Sequence, residues 1–228
     1  MLDPASQARG LETGPATRRH SSLSAAEQPD LLLIERARAG NEQATEALIR
    51  RYARRLFRVA RTVIVDDERA ELAVQEACIA AFGDLSRYEP TGKFAAWLTR
   101  LTYQHARSAR HPAWLSRSAT APVGQLQERR ELTHAIEQLP EVFRTVFVLR
   151  VIEGISGIES AASLGVHETT VRTRLYRAHR RLDADLVRSI RLQPDLLDLP
   201  AGAAQRLVTA ILAHLPRHPA AAAAPATP

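Results

Sequence analysis

Apolar positions recur with helical spacing along most of this chain, and strand-like alternation is absent. The pattern begins at Asp30 and is clearest in "NEQATEALIRRYARRLFRVARTVIV". There Leu48, Tyr52, Leu56, Val59 and Val63 return at steps of four and three, which places them on one helix face. Arg50, Arg54, Arg58 and Arg61 keep the same spacing on another face. That stripe has two open readings, a solvated surface or a contact for an acidic partner. A second helix is predicted from Asp67 to Leu85, with Asp66 and Asp67 at its electropositive start. It stops before "SRYEPTGK", where Pro90 and Gly92 mark a loop. A third helix, "FAAWLTRLTYQHARSAR", sets Phe94, Trp97, Leu98 and Leu101 on one side and Arg100, Tyr103, Arg107 and Arg110 on the other. Trp97, spaced between Phe94 and Leu101, reads as core. Three such helices can bury one another's stripes as a bundle.

The pattern then breaks at "HPAWLSRSATAPVGQ", which has the prolines, glycine and small polar residues of a linker. It resumes near Glu128. "LPEVFRTVFVLRVIEG" reads as a helix with Pro140 early and Gly154 just past its end. "ISGIESAASLG" is a short helix closed by Gly165, a residue that accepts a left-handed backbone. "VHETTVRTRLYRAHRRL" is a third. Two helices joined by a tight glycine turn, the second one basic, fit a helix-turn-helix, with Ala161 and Val171 as its inner contacts. The chain is predicted to be all-α, with two small helical domains joined by a flexible linker. Its expected divisions are an N-terminal disordered arm 1–29, a helical domain 30–111, a linker 112–127, a second domain 128–190 and an extension 191–228. The extension holds a short amphipathic stretch with Leu207, Val208, Ile211, Leu212 and Leu215, then a low-complexity tail.

Charge narrows the function. Among 228 residues, 31 Lys+Arg against 25 Asp+Glu give a formal +6, and Lys93 is the only lysine. Arginine offers a planar fork of donors suited to phosphate and guanine edges. In the basic helix Val171, Leu175 and Ala178 are predicted to face inward. Thr169, Thr170, Arg172, Thr173, Arg174, Arg177, Arg180 and Arg181 remain for phosphates or bases, as a helix in the major groove requires. Cys78 is the sole cysteine, which excludes an internal disulfide and a cysteine zinc site, and it reads as a buried thiol. No apolar run reaches the ~20 residues of a membrane span, and the start lacks an apolar segment of signal-peptide length, so a cytoplasmic protein with no membrane insertion is expected.

The residues "LPEVFRTVFVLRVIEGISGIESAASLGVHETTVRTRLYRAHRRL" resemble region 4 of bacterial RNA polymerase sigma factors of the extracytoplasmic-function (ECF) type, with "TVRTRLYRA" the densest match. By that resemblance the helix-turn-helix reads the −35 promoter element through Thr170, Arg172, Thr173, Arg174 and Arg177. Ser160 stands where the family usually has a large aliphatic, which predicts looser helix packing. His167 replaces the usual cap, a loss of about 1 kcal/mol at the helix start. The first domain is similar to sigma region 2. "AELAVQEACIAAFGDL" looks like the helix that docks on the polymerase clamp, implying contacts by Glu71, Gln75 and Glu76, with Leu72 where an acidic residue is usual. "FAAWLTRLTYQHARSARH" looks like the helix that opens the −10 element, and "SRYEPTGK" like the loop that pockets a flipped base. Tyr88, Lys93, Arg100, Tyr103, Gln104, Arg107 and Arg110 are the implied contacts there. Gln104 stands in place of the usual Asn. Stacking of an unpaired base on Tyr103 would contribute roughly 1–3 kcal/mol.

The implied partners are core RNA polymerase and promoter DNA, with an anti-sigma protein as a further candidate. No cofactor is expected. An enzyme is not expected either, because His105, His111, His134, His167 and His179 show no metal-ligand spacing and there is no glycine-rich phosphate loop. The rival readings are a helix-turn-helix regulator that does not join polymerase, and a sigma relative weak in promoter melting.

Overall fold

The computed structural model describes residues 29–89, 93–109 and 126–216. The predicted arm before Pro29, the Pro90 and Gly92 turn, Arg110, most of the linker and the tail after Pro216 lie outside the described residues. The described residues are helical, with no strand among them.

Four helices build the first unit: α1 (Asp30–Arg38), α2 (Glu42–Arg61), α3 (Asp67–Gly83) and α4 (Phe94–Ala109). Asn41 starts α2 and Asp66 starts α3, each side chain accepting an N–H that the first turn leaves unpaired. All five residues of the predicted α2 stripe are buried, and they meet Leu33, Val74, Cys78, Phe94 and Leu98 in one core. Burial pushes the Cys78 thiol up to about 12, so it is not a nucleophile. Trp97 is partly buried against this core and its ring lies 5.5 Å from Phe94.

The second unit comprises α5 (Leu126–Glu137), α6 (Glu141–Phe147), α7 (Gly157–Leu164), α8 (Glu168–His179) and α9 (Ala184–Leu192). Helix α6 runs on through a wider π-helical turn, Val148–Ile152. Ile136, Phe147, Val148, Ala178, Ile190 and Leu196 form its core. The turn between α7 and α8 is closed by Gly165 at φ 65°, with the Val166 N–H donating to the Ala161 carbonyl at 3.1 Å. Val146, Ala161 and Val171 pack together beneath that turn. Ser160 is fully buried and donates its hydroxyl to the Ser156 carbonyl, so the position is satisfied through the backbone rather than filled with hydrocarbon. His167 makes no side-chain cap.

The chain after α9 stays on the second unit through Leu196 and Leu197 and then leaves it. Helix α10 (Ala203–His214) packs on the first unit, where Leu207, Val208 and Ile211 are buried against α2 and α3. The two units also touch directly, chiefly through α4 against α7.

Candidate nucleic-acid interface

Past Glu168, helix α8 presents a basic face with no acid on it. Val171 and Ala178 are buried, Leu175 is half-buried, and Thr169, Arg172, Thr173, Arg177 and Arg180 are exposed. Thr170 and Arg174 are half-buried. Among the described residues no carboxylate pairs with Arg172, Arg174, Arg177 or Arg180, while Arg181 lies over the Phe143 ring at 5.6 Å. From Thr169 to Arg180 this face runs about 16 Å at the helical rise, long enough to follow a groove across several base pairs.

The residues expected at the −10 element are placed differently. Gln104, Arg100 and Arg107 are exposed on α4. Tyr103 is enclosed: the residue is only 8% exposed, and its hydroxyl donates to Glu141 of α6 at 3.0 Å. Arg107 sits over the same ring and pairs with Glu141 at 3.5 Å. Burial, with Glu141 beside it, pushes the Tyr103 phenol up to about 12. Tyr88 is enclosed as well. It is 3% exposed, with its ring 5.1 Å from Phe94 and 5.3 Å from Trp97. An aromatic ring beside two others gains more from that cluster than from water, so Tyr88 is core here. Lys93 is exposed but its ammonium meets Glu159 of α7 at 2.9 Å.

Those contacts belong to a wider seam. Arg55 pairs with Glu159 at 2.9 Å, Arg58 with Glu153 at 2.7 Å, and Arg61 with Glu137 at 3.0 Å. The Thr62 and Thr145 hydroxyls bond at 2.9 Å, and Arg144 donates to the Thr62 carbonyl at 3.0 Å. The arginine stripe of α2 therefore has acidic partners, and Arg55, Arg58 and Arg61 find them in the second unit of the same chain. Burial alone would raise the Glu159 pKa, but hydrogen bonds from Lys93 and Arg55 outweigh it and hold the carboxyl below its ordinary value. Glu137, Glu141, Glu153 and Glu159 were not foreseen as seam residues. Composition carried no signal for them, since the second half is about as rich in arginine as the first.

On α3, Glu76 is exposed and Gln75 half-buried, and Leu72 stands out at 55% exposure. Glu71 is held by both nitrogens of the Arg206 fork from α10, at 3.0 and 2.7 Å. Among the described residues no group of His, Cys, Asp and Glu is placed to hold a metal, and no helix is long and apolar enough to cross a membrane.

Comparison with known proteins agrees with this geometry. The family model "Sigma-70 region 2" matches residues 48–119 and "Sigma-70, region 4" matches residues 129–182. The chain is 31% identical over 161 residues to the RNA polymerase sigma factor CarQ of Myxococcus xanthus, covering 65% of this chain and 92% of that one. It is 27% identical over 183 residues to the RNA polymerase sigma-H factor of Pseudomonas aeruginosa, covering 70% and 95%. Among solved structures, CnrH in complex with the cytosolic domain of CnrY matches with a TM-score of 0.58 and 29% identity, covering 69% of this chain and 96% of that one. With two sigma regions in order and a relative of this identity matched over nearly its full length, the chain belongs to the ECF sigma factors of bacterial RNA polymerase.

Proposed function

We propose that this sigma factor, which binds core RNA polymerase and directs promoter-specific initiation, reads the −35 element with Thr169, Thr170, Arg172, Thr173, Arg174, Arg177 and Arg180. The observation that carries the assignment is the exposed face of α8 behind the Gly165 turn, free of acid after Glu168. The −10 element falls to Arg100, Gln104 and Arg107 of α4, joined by Lys93 and Tyr103 once the seam to α6 and α7 opens. Polymerase binds the α3 edge of Glu71, Gln75 and Glu76. Residues 30–111 and 128–190 act as the two recognition domains, and the protein works in the cytoplasm without catalysing a reaction. On this reading the chain is held closed until it meets DNA, because Glu141 and Glu159 occupy the Tyr103 and Lys93 groups that DNA would use. An anti-sigma protein is a further partner, a reading supported by the likeness to CnrH, which was solved with CnrY.

Two variants test the division of labour. Arg174→Ala should weaken promoter binding by the holoenzyme roughly 5- to 150-fold, the worth of one good base contact, while binding to core polymerase stays level. Glu76→Arg should do the reverse in a core-binding titration. Equal loss of both activities in either variant would return that residue to a structural role.

A further inference from the structure

Residues 193–215 lie beyond both sigma regions matched, yet they grip both units. Leu196 and Leu197 are buried in the second core, Leu197 at a left-handed φ of 56° that a branched residue adopts only when held. The Pro194 carbonyl accepts from Arg54 and Arg58 of α2, and Asp198 pairs with Arg54 at 2.7 Å. Asp195 is bound by Arg129 of α5. Gly202, at φ 75°, then turns the chain into α10. That helix buries Leu207, Val208 and Ile211 in the first core, and its Arg206 takes Glu71 of α3 in a two-point fork. Arg50 of α2 bonds Gln205 on the same side.

We propose that residues 193–215 are an intramolecular clasp, in which α10 occupies the Glu71 flank of α3 that core polymerase takes and the buried Leu196–Leu197 pair keeps the second unit closed on the first. The inference rests on the α3 edge being the polymerase contact. Arg206 at the edge of α10 takes a carboxylate that has another proposed use. The cover is partial: Leu72 and Glu76 stay exposed, so polymerase can engage the open edge and displace α10 from it. Polymerase binding and clasp opening are thereby linked, and the apparent affinity is reduced by the fraction of chains in which α10 is seated.

The test measures core polymerase binding by fluorescence anisotropy of the labelled full-length chain. Leu207→Asp with Ile211→Asp unseats α10, and binding should tighten at least tenfold. A synthetic peptide of residues 200–216, added to that variant, should weaken binding again. Arg206→Glu, a surface change that leaves the core intact, should tighten binding about two- to fivefold and decides the matter if the double variant does not melt cooperatively. Folded variants that bind no tighter than the parent overturn the clasp. Glu76→Arg, measured alongside, separates the failures: if it binds normally, the polymerase surface itself was misassigned, and if it binds weakly while the α10 variants change nothing, only the clasp falls.

Discussion

Replacing Glu159 by glutamine should open the molecule. The Glu159 side chain is 11% exposed, that of its partner Arg55 is 12% exposed, and the pair spans the seam at 2.9 Å. Removing one member of a fully buried pair costs about 3–5 kcal/mol. Here the loss is smaller, because glutamine keeps an acceptor and because the Lys93 side chain, 73% exposed, contributes only about 0–1 kcal/mol. A loss of about 2–3 kcal/mol in docking follows, which at ~1.4 kcal/mol per tenfold moves the closed-to-open ratio roughly 30- to 150-fold. Single-molecule energy transfer reads this with dyes on Ala80→Cys of α3 and Ala184→Cys of α9, both exposed, since Cys78 is buried and inert. The variant should show a growing low-transfer population, and single-stranded −10 DNA should bind more tightly as the fraction with Lys93 and Tyr103 released rises. The pH dependence supplies a second check. A carboxyl held below its ordinary value contributes above about pH 4.5 and loses that contribution as pH falls further, so acid should open the parent chain. Glu159→Gln should lose the Glu159 share of that response, while Glu137, Glu141 and Glu153 keep theirs. An unchanged transfer distribution in a folded Glu159→Gln protein would refute the seam as the source of closure.

Other perturbations reach different parts of the same structure. Because the Tyr103 phenol is raised from about 10 to about 12, the folded state holds that proton more firmly, and stability should fall as pH rises through this window, visible as delayed phenolate absorbance. Gly165→Ala should destabilise the turn by about 1–2 kcal/mol through its left-handed backbone, with Gly165→Asn recovering part of the loss in a denaturant melt. Phe147→Ala, at a fully buried position, should cost about 3–5 kcal/mol and collapse duplex binding together with stability.

Much of the fold was legible because it depends on local chemistry. The α2 stripe of Leu48, Tyr52, Leu56, Val59 and Val63 is buried as its spacing implies, since a helix with one apolar face must cover it. The helix-turn-helix was legible for a related reason: a glycine at a left-handed corner, a small residue before it and an apolar one after it leave few other geometries. The candidate site was less legible. Tyr88 and Tyr103 carry the right chemistry for an unpaired base, but the rings are taken up by Phe94 and Trp97 in one case and by Glu141 in the other.

By itself the sequence determined the helices, their apolar faces, the corner at Gly165 and the arginine-rich face of α8, because each follows from propensity and spacing within one or two turns. It also carried the family, through motifs that lie on those elements. Only the tertiary structure decided which surface each face would meet. Arg55 and Glu159 are 104 positions apart, and Arg206 and Glu71 are 135 apart. Periodicity says that an arginine lies off the core, yet a charge on a helix surface is equally at home in water or against a carboxylate. The same holds for α10, whose amphipathic pattern calls for a partner and is indifferent between two available cores. Its seat on α2 and α3 is marked by the hydrocarbon it covers there and by the fit of Arg206 to Glu71.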